Sequence, residues 1–297
     1  MARRRLKWTA KQVDRLNKVI EVLSELEDYK PLTLRQIYYQ LVSKEYIENK
    51  VSQYNMLSNL LKWARIDGYV SWDDVEDRGR AFHNAEGWQD KEHFLNGALS
   101  SFLERYRRNL WQTQKRYVEV WIEKDALSSI FTRVCAPYGI SVVVCRGFSS
   151  VSFLHDFSNR LVSRDGRKPV MLYFGDFDPS GVEMLTAMKT TLRDELGVRG
   201  MQFKRIALLK DDIFTYRLPH NPNALKRTDT RARKHMRAYG ELAVELDALR
   251  PDILEQKIED AVKAQMNVRA FNRQVDLYRK EMEELRSLKG RIMRVVR

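Results

Sequence analysis

The sequence predicts an α/β protein: a short helical domain, a parallel sheet covered by helices, and a helical tail. Three observations predict it. Up to about residue 80, apolar side chains recur every three or four positions. From residue 116, apolar strand-like runs alternate with helix-like segments, the pattern of a parallel sheet with both faces covered. From Pro251 the helical spacing returns. The boundaries fall at residues 1–80, a connector over 81–115, a sheet domain over 116–250 and C-terminal helices over 251–297.

The first helix lies in "TAKQVDRLNKVIEVLSELED", with Val13, Leu16, Ile20, Leu23 and Leu26 as its apolar stripe. A second opens at Thr33, with Gln36 three residues on, a capping-box pattern. A third follows Ser52, with Tyr54, Leu57, Leu61 and Ala64 on one face. After Gly68, "YVSWDDV" suits a short strand pair, so the front domain reads as a winged helix. The connector leads to a helix through "LSSFLERYRRNLWQTQ". Strands then fall at "RYVEVWIE", "ISVVVCRG", "PVMLYFGD" and "MQFKRIALL". Between them lie helices "DALSSIFTRVCAPYG", ended by Gly139, "SSVSFLHDFSNRLVS" and "GVEMLTAMKTTLRDELG". In the tail, Phe271, Val275, Tyr278, Met282, Leu285, Ile292 and Val295 form a stripe too short for many heptads, which suits domain packing.

Of the 297 residues 43% are apolar, ample for a core, and 53 Lys and Arg against 40 Asp and Glu leave a charge of +13. That excess favours a polyanionic partner, nucleic acid above all. Cys135 and Cys145 have no CxxC spacing and read as buried thiols, and the histidines lack metal-ligand spacing. No apolar run approaches the roughly 20 residues that span a bilayer. The basic start has no apolar stretch after it, so the expectation is a cytoplasmic, DNA-associated protein.

Two strands end in acids: "VEVWIEKDAL" in Glu123, and "PVMLYFGDFDPSG" in Asp176 and Asp178. Ligands of an open parallel sheet sit beyond the carboxyl ends of its strands. If these two strands are neighbours, the three carboxylates converge, repelling one another unless a hard cation such as Mg²⁺ or Mn²⁺ joins them. Such a cation can clamp a phosphate oxygen. The bland alternative is a helix cap at either aspartate and an ion pair from Glu123 to Lys124 or Arg146.

On the second helix Leu34, Ile37, Tyr38 and Leu41 form the buried stripe, which places Tyr39 and Arg35 off it and beside one another. Tyr39 is therefore expected to turn its hydroxyl outward, as a phosphate-contacting pair with Arg35 or as a nucleophile. The segment "NALKRTDTRARKHMRAYG", with Lys226, Arg227, Arg231, Arg233 and Lys234, reads as a backbone grip on DNA, joined by Lys62, Arg65 and Arg146. In "AVELDAL", Glu245 and Asp247 read as structural.

Glutamate at one strand end and DxD at another resembles the Toprim domain of topoisomerases and primases. "VEVWIEKDAL", "GDFDPSG" and "LRQIYYQLV" together resemble the A subunit of DNA topoisomerase VI and the related meiotic double-strand-break protein, over residues 31–210. The shortness of the chain is similar to compact Mini-A homologues encoded on mobile elements. The resemblance implies a winged helix followed by Toprim. It implies Mg²⁺-dependent DNA cleavage in which Tyr39, aided by Arg35 and Glu123, forms a 5′-phosphotyrosyl link. It also implies metal ligands Glu123, Asp176 and Asp178, a homodimer on double-stranded DNA, and a separate ATPase subunit as a possible partner. Gln36 departs from the pattern, which carries an acid there. Competing expectations are a Toprim nuclease that uses water, and a DNA-binding protein without catalysis.

Overall fold

The structure is a computed structural model; it describes residues 7–76, 87–145, 147, 149–162, 166–225 and 230–296. Helix α1 (Ala10–Glu25) starts on a capping box, Thr9 with Gln12, and buries Leu16, Val19, Val22 and Leu23. Val13 and Ile20, expected in its stripe, are exposed. Packing on the next two helices selects the face one step round, through Val19 and Val22, which the same period also serves. Strand β1 (Leu32–Thr33) runs into α2 (Leu34–Ser43), capped reciprocally by Thr33 and Gln36 as the sequence indicates. Helix α3 (Val51–Asp67) ends at Gly68, whose φ of +84° closes the last turn in the left-handed region.

No hairpin follows among the described residues. Strand β2 (Val75–Glu76) pairs in parallel with β1, Leu32 opposite Val75. The expected wing is thus a two-residue parallel pair, and residues 77–80 of that domain lie outside the described residues.

Helix α4 (Lys91–Arg105) begins and ends earlier than expected, with Asp90 as its cap. A four-stranded sheet follows, built from β3 (Arg116–Ile122), β4 (Ser141–Val144), β5 (Lys168–Phe174) and β6 (Gln202–Ala207). Its order is β4-β3-β5-β6, every pair parallel. Helix α5 (Ser128–Cys135) links β3 to β4, α6 (Val151–Val162) links β4 to β5, and α7 (Pro179–Thr190) links β5 to β6.

Both faces are covered, as a parallel sheet requires. Val118, Val120, Ile122, Val170, Leu172 and Phe174 point to one side and join a core with the front helices. On the opposite side Trp121, Met171 and Tyr173 pack on Leu154, Phe157, Met184 and Met188 of α6 and α7. Beyond β6 come α8 (Lys210–Thr215), α9 (Thr230–Tyr239), α10 (Pro251–Lys263) and the 29-residue α11 (Val268–Val296). Helix α10 covers α5 and β6, while α11 lies along α4, where Lys289 donates to Ser100 at 2.7 Å. The tail stripe therefore serves packing at its Phe271 end, whereas Ile292 stays exposed.

Candidate functional site: an acid rim joined to a buried tyrosine

Strands β3 and β5 are neighbours, with Ile122 opposite Phe174, so the residues that follow them leave the sheet side by side. The Glu123 N–H donates to the Phe174 carbonyl at 3.0 Å, and the Asp176 N–H donates to Glu123 Oε2 at 2.9 Å. Asp178 caps α7, its Oδ1 accepting the Gly181 N–H at 2.6 Å, with Pro179 opening the helix. Two glycines make the close approach possible. A Cβ on Gly175 would come within 2.6 Å of Glu123 Oε2, and one on Gly181 would strike the Asp176 carbonyl.

Arg205 of β6 pins this turn from below. Its guanidinium donates to the carbonyls of Leu208 at 2.9 Å, Gly181 at 3.0 Å and Gly175 at 3.1 Å, and to that of Asp176. Burial pushes the Glu123 carboxyl up; the Asp176 N–H opposes this, and the charge of Asp178 adds to it. Burial likewise pushes Asp176 up to about 7, against the pull of Lys124. The rim therefore holds negative charge that the protein only partly compensates.

The tyrosine is not where its helical angle suggests. Gln36, Ile37, Tyr38, Tyr39, Gln40 and Leu41 are all buried, because α2 is enclosed by α1, α3 and a turn at Leu246–Ala248. Tyr39 is 2% exposed, so the expected outward hydroxyl is corrected. A helical wheel ranks positions against their own stripe and cannot foresee a second element covering the other side. Even so, Tyr39 is not enclosed by hydrocarbon alone: it lines a cleft together with Arg35 and Glu245. Burial and then Glu245 push the phenol well above its ordinary 10. Tyr38 is committed elsewhere, donating to Asn49 Oδ1 and to the Lys50 carbonyl, each at 3.1 Å.

Lys124 connects the two halves. Its Nζ lies 3.0 Å from Asp176 Oδ1, 2.7 Å from Glu245 Oε2 and 2.6 Å from Asp247 Oδ2. Arg35 pairs with Glu245 and lies 3.8 Å from Asp247 Oδ2. One network thus runs from the Tyr39 hydroxyl through Glu245 and Lys124 to Asp176, within one chain.

Sequence reasoning left Lys124, Glu245 and Asp247 outside the site. The signal was present: in "AVELDAL" the acids alternate with Val244, Leu246 and Ala248, all buried. Acids spaced through a buried apolar run need cationic partners.

The basic residues divide. Arg231 and Arg233 are exposed on α9, and Lys234 pairs with Glu183 at 3.1 Å. Helix α9 packs on α7 and holds Phe177, the residue between the two aspartates, against His235 and Tyr239 at ring distances of 5.5 and 5.0 Å. This basic helix therefore borders the acid rim. Lys62 is exposed on α3, whereas Arg65 is half-buried, donating to the Val75 carbonyl and stacking on Trp72. Arg146, Lys226 and Arg227 lie outside the described residues.

Among the described residues no group of three His, Cys, Asp or Glu side chains is arranged to hold one metal ion. Asp178 is engaged in its cap and Asp176 is gripped by Lys124. Mg²⁺ is ordinarily held by only one or two carboxylates, with water and substrate phosphates completing the shell. Glu123 and Asp178, at the ends of neighbouring strands, offer the hard oxygens that requirement calls for. No helix among the described residues is long and apolar enough to cross a membrane. In comparisons with known proteins, no protein-family profile matches the chain, and no curated protein matches its sequence.

Proposed function

We propose that this protein cleaves DNA by transesterification, in the manner of a topoisomerase VI A subunit, with Tyr39 as the nucleophile. The observation that carries the proposal is the continuous ion network between the Tyr39 hydroxyl and the acid-bearing strand ends. A tyrosine and a set of phosphate-directed acids have no structural need of one another. Their coupling is what a phosphoryl transfer to tyrosine requires.

In this reading a DNA strand enters along the basic face of α9. Its scissile phosphate reaches Tyr39 through a cleft of about 240 Å³ lined by Arg35, Tyr38, Tyr39 and Tyr54. Arg35 offers a planar donor pair to the phosphate oxygens. Glu123 and Asp178, with Asp176 beside them, would hold a divalent cation that supplies further charge stabilisation at the phosphate. Lys124 fixes the distance between the two halves. The product is a 5′-phosphotyrosyl bond and a free 3′-hydroxyl. Two such chains acting on opposite strands would give a double-strand break, which is the sense of a homodimer here.

Incubation with plasmid and Mg²⁺ followed by denaturation tests the reading. Protein should remain covalently attached to 5′ ends, and Tyr39→Phe should abolish the attachment. Attachment that persists in Tyr39→Phe would falsify the assignment.

A second reading, hydrolysis by water at the acid rim, draws on the burial of Tyr39, which is 2% exposed. It requires free 5′-phosphate ends, produced equally by Tyr39→Phe and lost in Asp176→Ala.

A further inference from the structure

We propose that Glu245 is the proton acceptor for Tyr39 in the cleavage step, and the donor that returns the proton on resealing. The inference rests on the reading of Tyr39 as nucleophile and names a catalytic group that its motif does not contain. Tyr39 and Glu245 line the same cleft, with the carboxylate beside the phenol. It arrives on the segment just before the Leu246–Ala248 turn, the element that covers α2.

Three partners fix its carboxylate. Asn221 Nδ2 donates to Oε1 at 2.8 Å, Lys124 Nζ reaches Oε2 at 2.7 Å, and Arg35 pairs with the same Oε2. Burial disfavours the charge of Glu245, but Lys124 and Arg35 outweigh it and hold the carboxyl below its ordinary value. The group is therefore ionised at neutral pH, and at 8% exposure it is shielded from bulk water.

No other base fits among the described residues. Gln36, three positions before Tyr39, has no proton affinity to offer, and its Oε1 is spent on the Thr33 N–H at 2.8 Å. Asp247 is not among the residues that line the cleft shared by Tyr39 and Glu245.

The buried phenol does not ionise on its own near neutral pH, so its proton must leave as the new bond forms. The Tyr39 oxygen bonds to phosphorus while its proton passes to Glu245. The bond from phosphorus to the 3′-oxygen breaks, that oxygen takes a proton from water, and the proton held by Glu245 passes to the hydroxide this leaves. Resealing runs the same sequence backwards, with Glu245 returning the proton to Tyr39. The water is regenerated, so the net change is the Tyr39 hydroxyl exchanged for the 3′-hydroxyl, and charge and atoms balance.

The test has one arm without DNA and one with it. In protein carrying ¹³Cζ-tyrosine, the Tyr39 resonance, assigned with Tyr39→Phe, should move in Glu245→Gln. An unmoved resonance overturns the proposal whatever the protein does to DNA. In the trapping assay, Glu245→Gln should lower the rate of covalent attachment by about 10²- to 10⁴-fold, the range of a lost general base, with DNA binding retained. Formate added to Glu245→Ala should restore part of the lost rate, which a merely structural loss would not allow. Attachment by Glu245→Gln at the wild-type rate overturns the proposal and leaves the nucleophile standing. A wild-type protein that never attaches to DNA overturns the nucleophile, and the proton step falls with it.

Discussion

Lys124 Nζ lies 3.0 Å from Asp176 Oδ1, and through this contact the acid rim of the sheet is tied to the helix that carries Tyr39. The same ammonium holds Glu245 and Asp247, so a single side chain offsets three carboxylates in a nearly dry setting. Asp247 is fully buried and, among the described residues, its Oδ1 has no hydrogen-bond partner, so its counter-charge comes from Lys124 and from Arg35 at 3.8 Å.

Lys124→Met therefore removes the counter-charge beside Asp176 and leaves Glu245 and Asp247 to Arg35 alone. The expected loss is about 3–5 kcal/mol, the range for breaking a buried pair from one side. Urea unfolding monitored by circular dichroism measures it. A loss below about 1 kcal/mol, the value of an exposed pair, would show that Lys124 is not buried among these acids.

Arg205 donates to four carbonyls around the turn that bears Asp176 and Asp178. Arg205→Lys retains the charge but not the planar fork. It should cost about 2–4 kcal/mol, a hydrogen bond from a charged group being worth about 1.5–3. Hydrogen exchange of the Gly175–Gly181 amides should accelerate with it. Unchanged exchange there would mean that the turn is held by its glycines and its helix cap alone.

Cys135 and Cys145 are both pushed up to about 12, chiefly by burial. At pH 8 the thiolate, which is the reactive form, is then only about one part in 10⁴. Native protein should leave both thiols unmodified by a disulfide reagent at pH 8, and denatured protein should yield two. Cys135 is buried and Cys145 half-buried, and rapid modification of Cys135 in the native protein would contradict its burial.

The depressed carboxyl of Glu245 gives a pH signature. Its folded value lies below the ordinary 4.5, so its ionised form contributes stability that is fully present above about pH 4.5. That contribution is lost as pH falls through the lower folded value. The stability gap between wild type and Glu245→Gln should be constant from pH 6 to 8 and shrink on acidification below 4.5. A gap that widens in acid would mean that Glu245 is held neutral.

Much of this arrangement was legible in the sequence. The alternation of apolar runs marks β3 to β6, and the Thr33 and Gln36 pair marks the start of α2. The acids at two strand ends mark the rim, because strands β3 and β5 do prove to be neighbours. What covers Tyr39 was not legible. A period of 3.6 residues places Tyr39 relative to Ile37 and Leu41, but the turn at Leu246–Ala248 comes from far along the chain. For the same reason Val13 and Ile20 were misplaced: two stripes on α1 satisfy the period, and only α2 and α3 choose between them. The second acid pair, Glu245 and Asp247, has the same one-residue spacing as Asp176 and Asp178, yet its meaning depends on Lys124 reaching it across the fold.

The proposed reaction joins Tyr39 covalently to DNA. Mass spectrometry of the nuclease- and protease-digested reaction with Mg²⁺ measures this directly. The peptide containing Tyr39 should carry a nucleotide through a 5′-phosphate on that residue, and none should be found on Tyr38. DNA cut to free 5′-phosphate ends with no modified tyrosine would contradict the account.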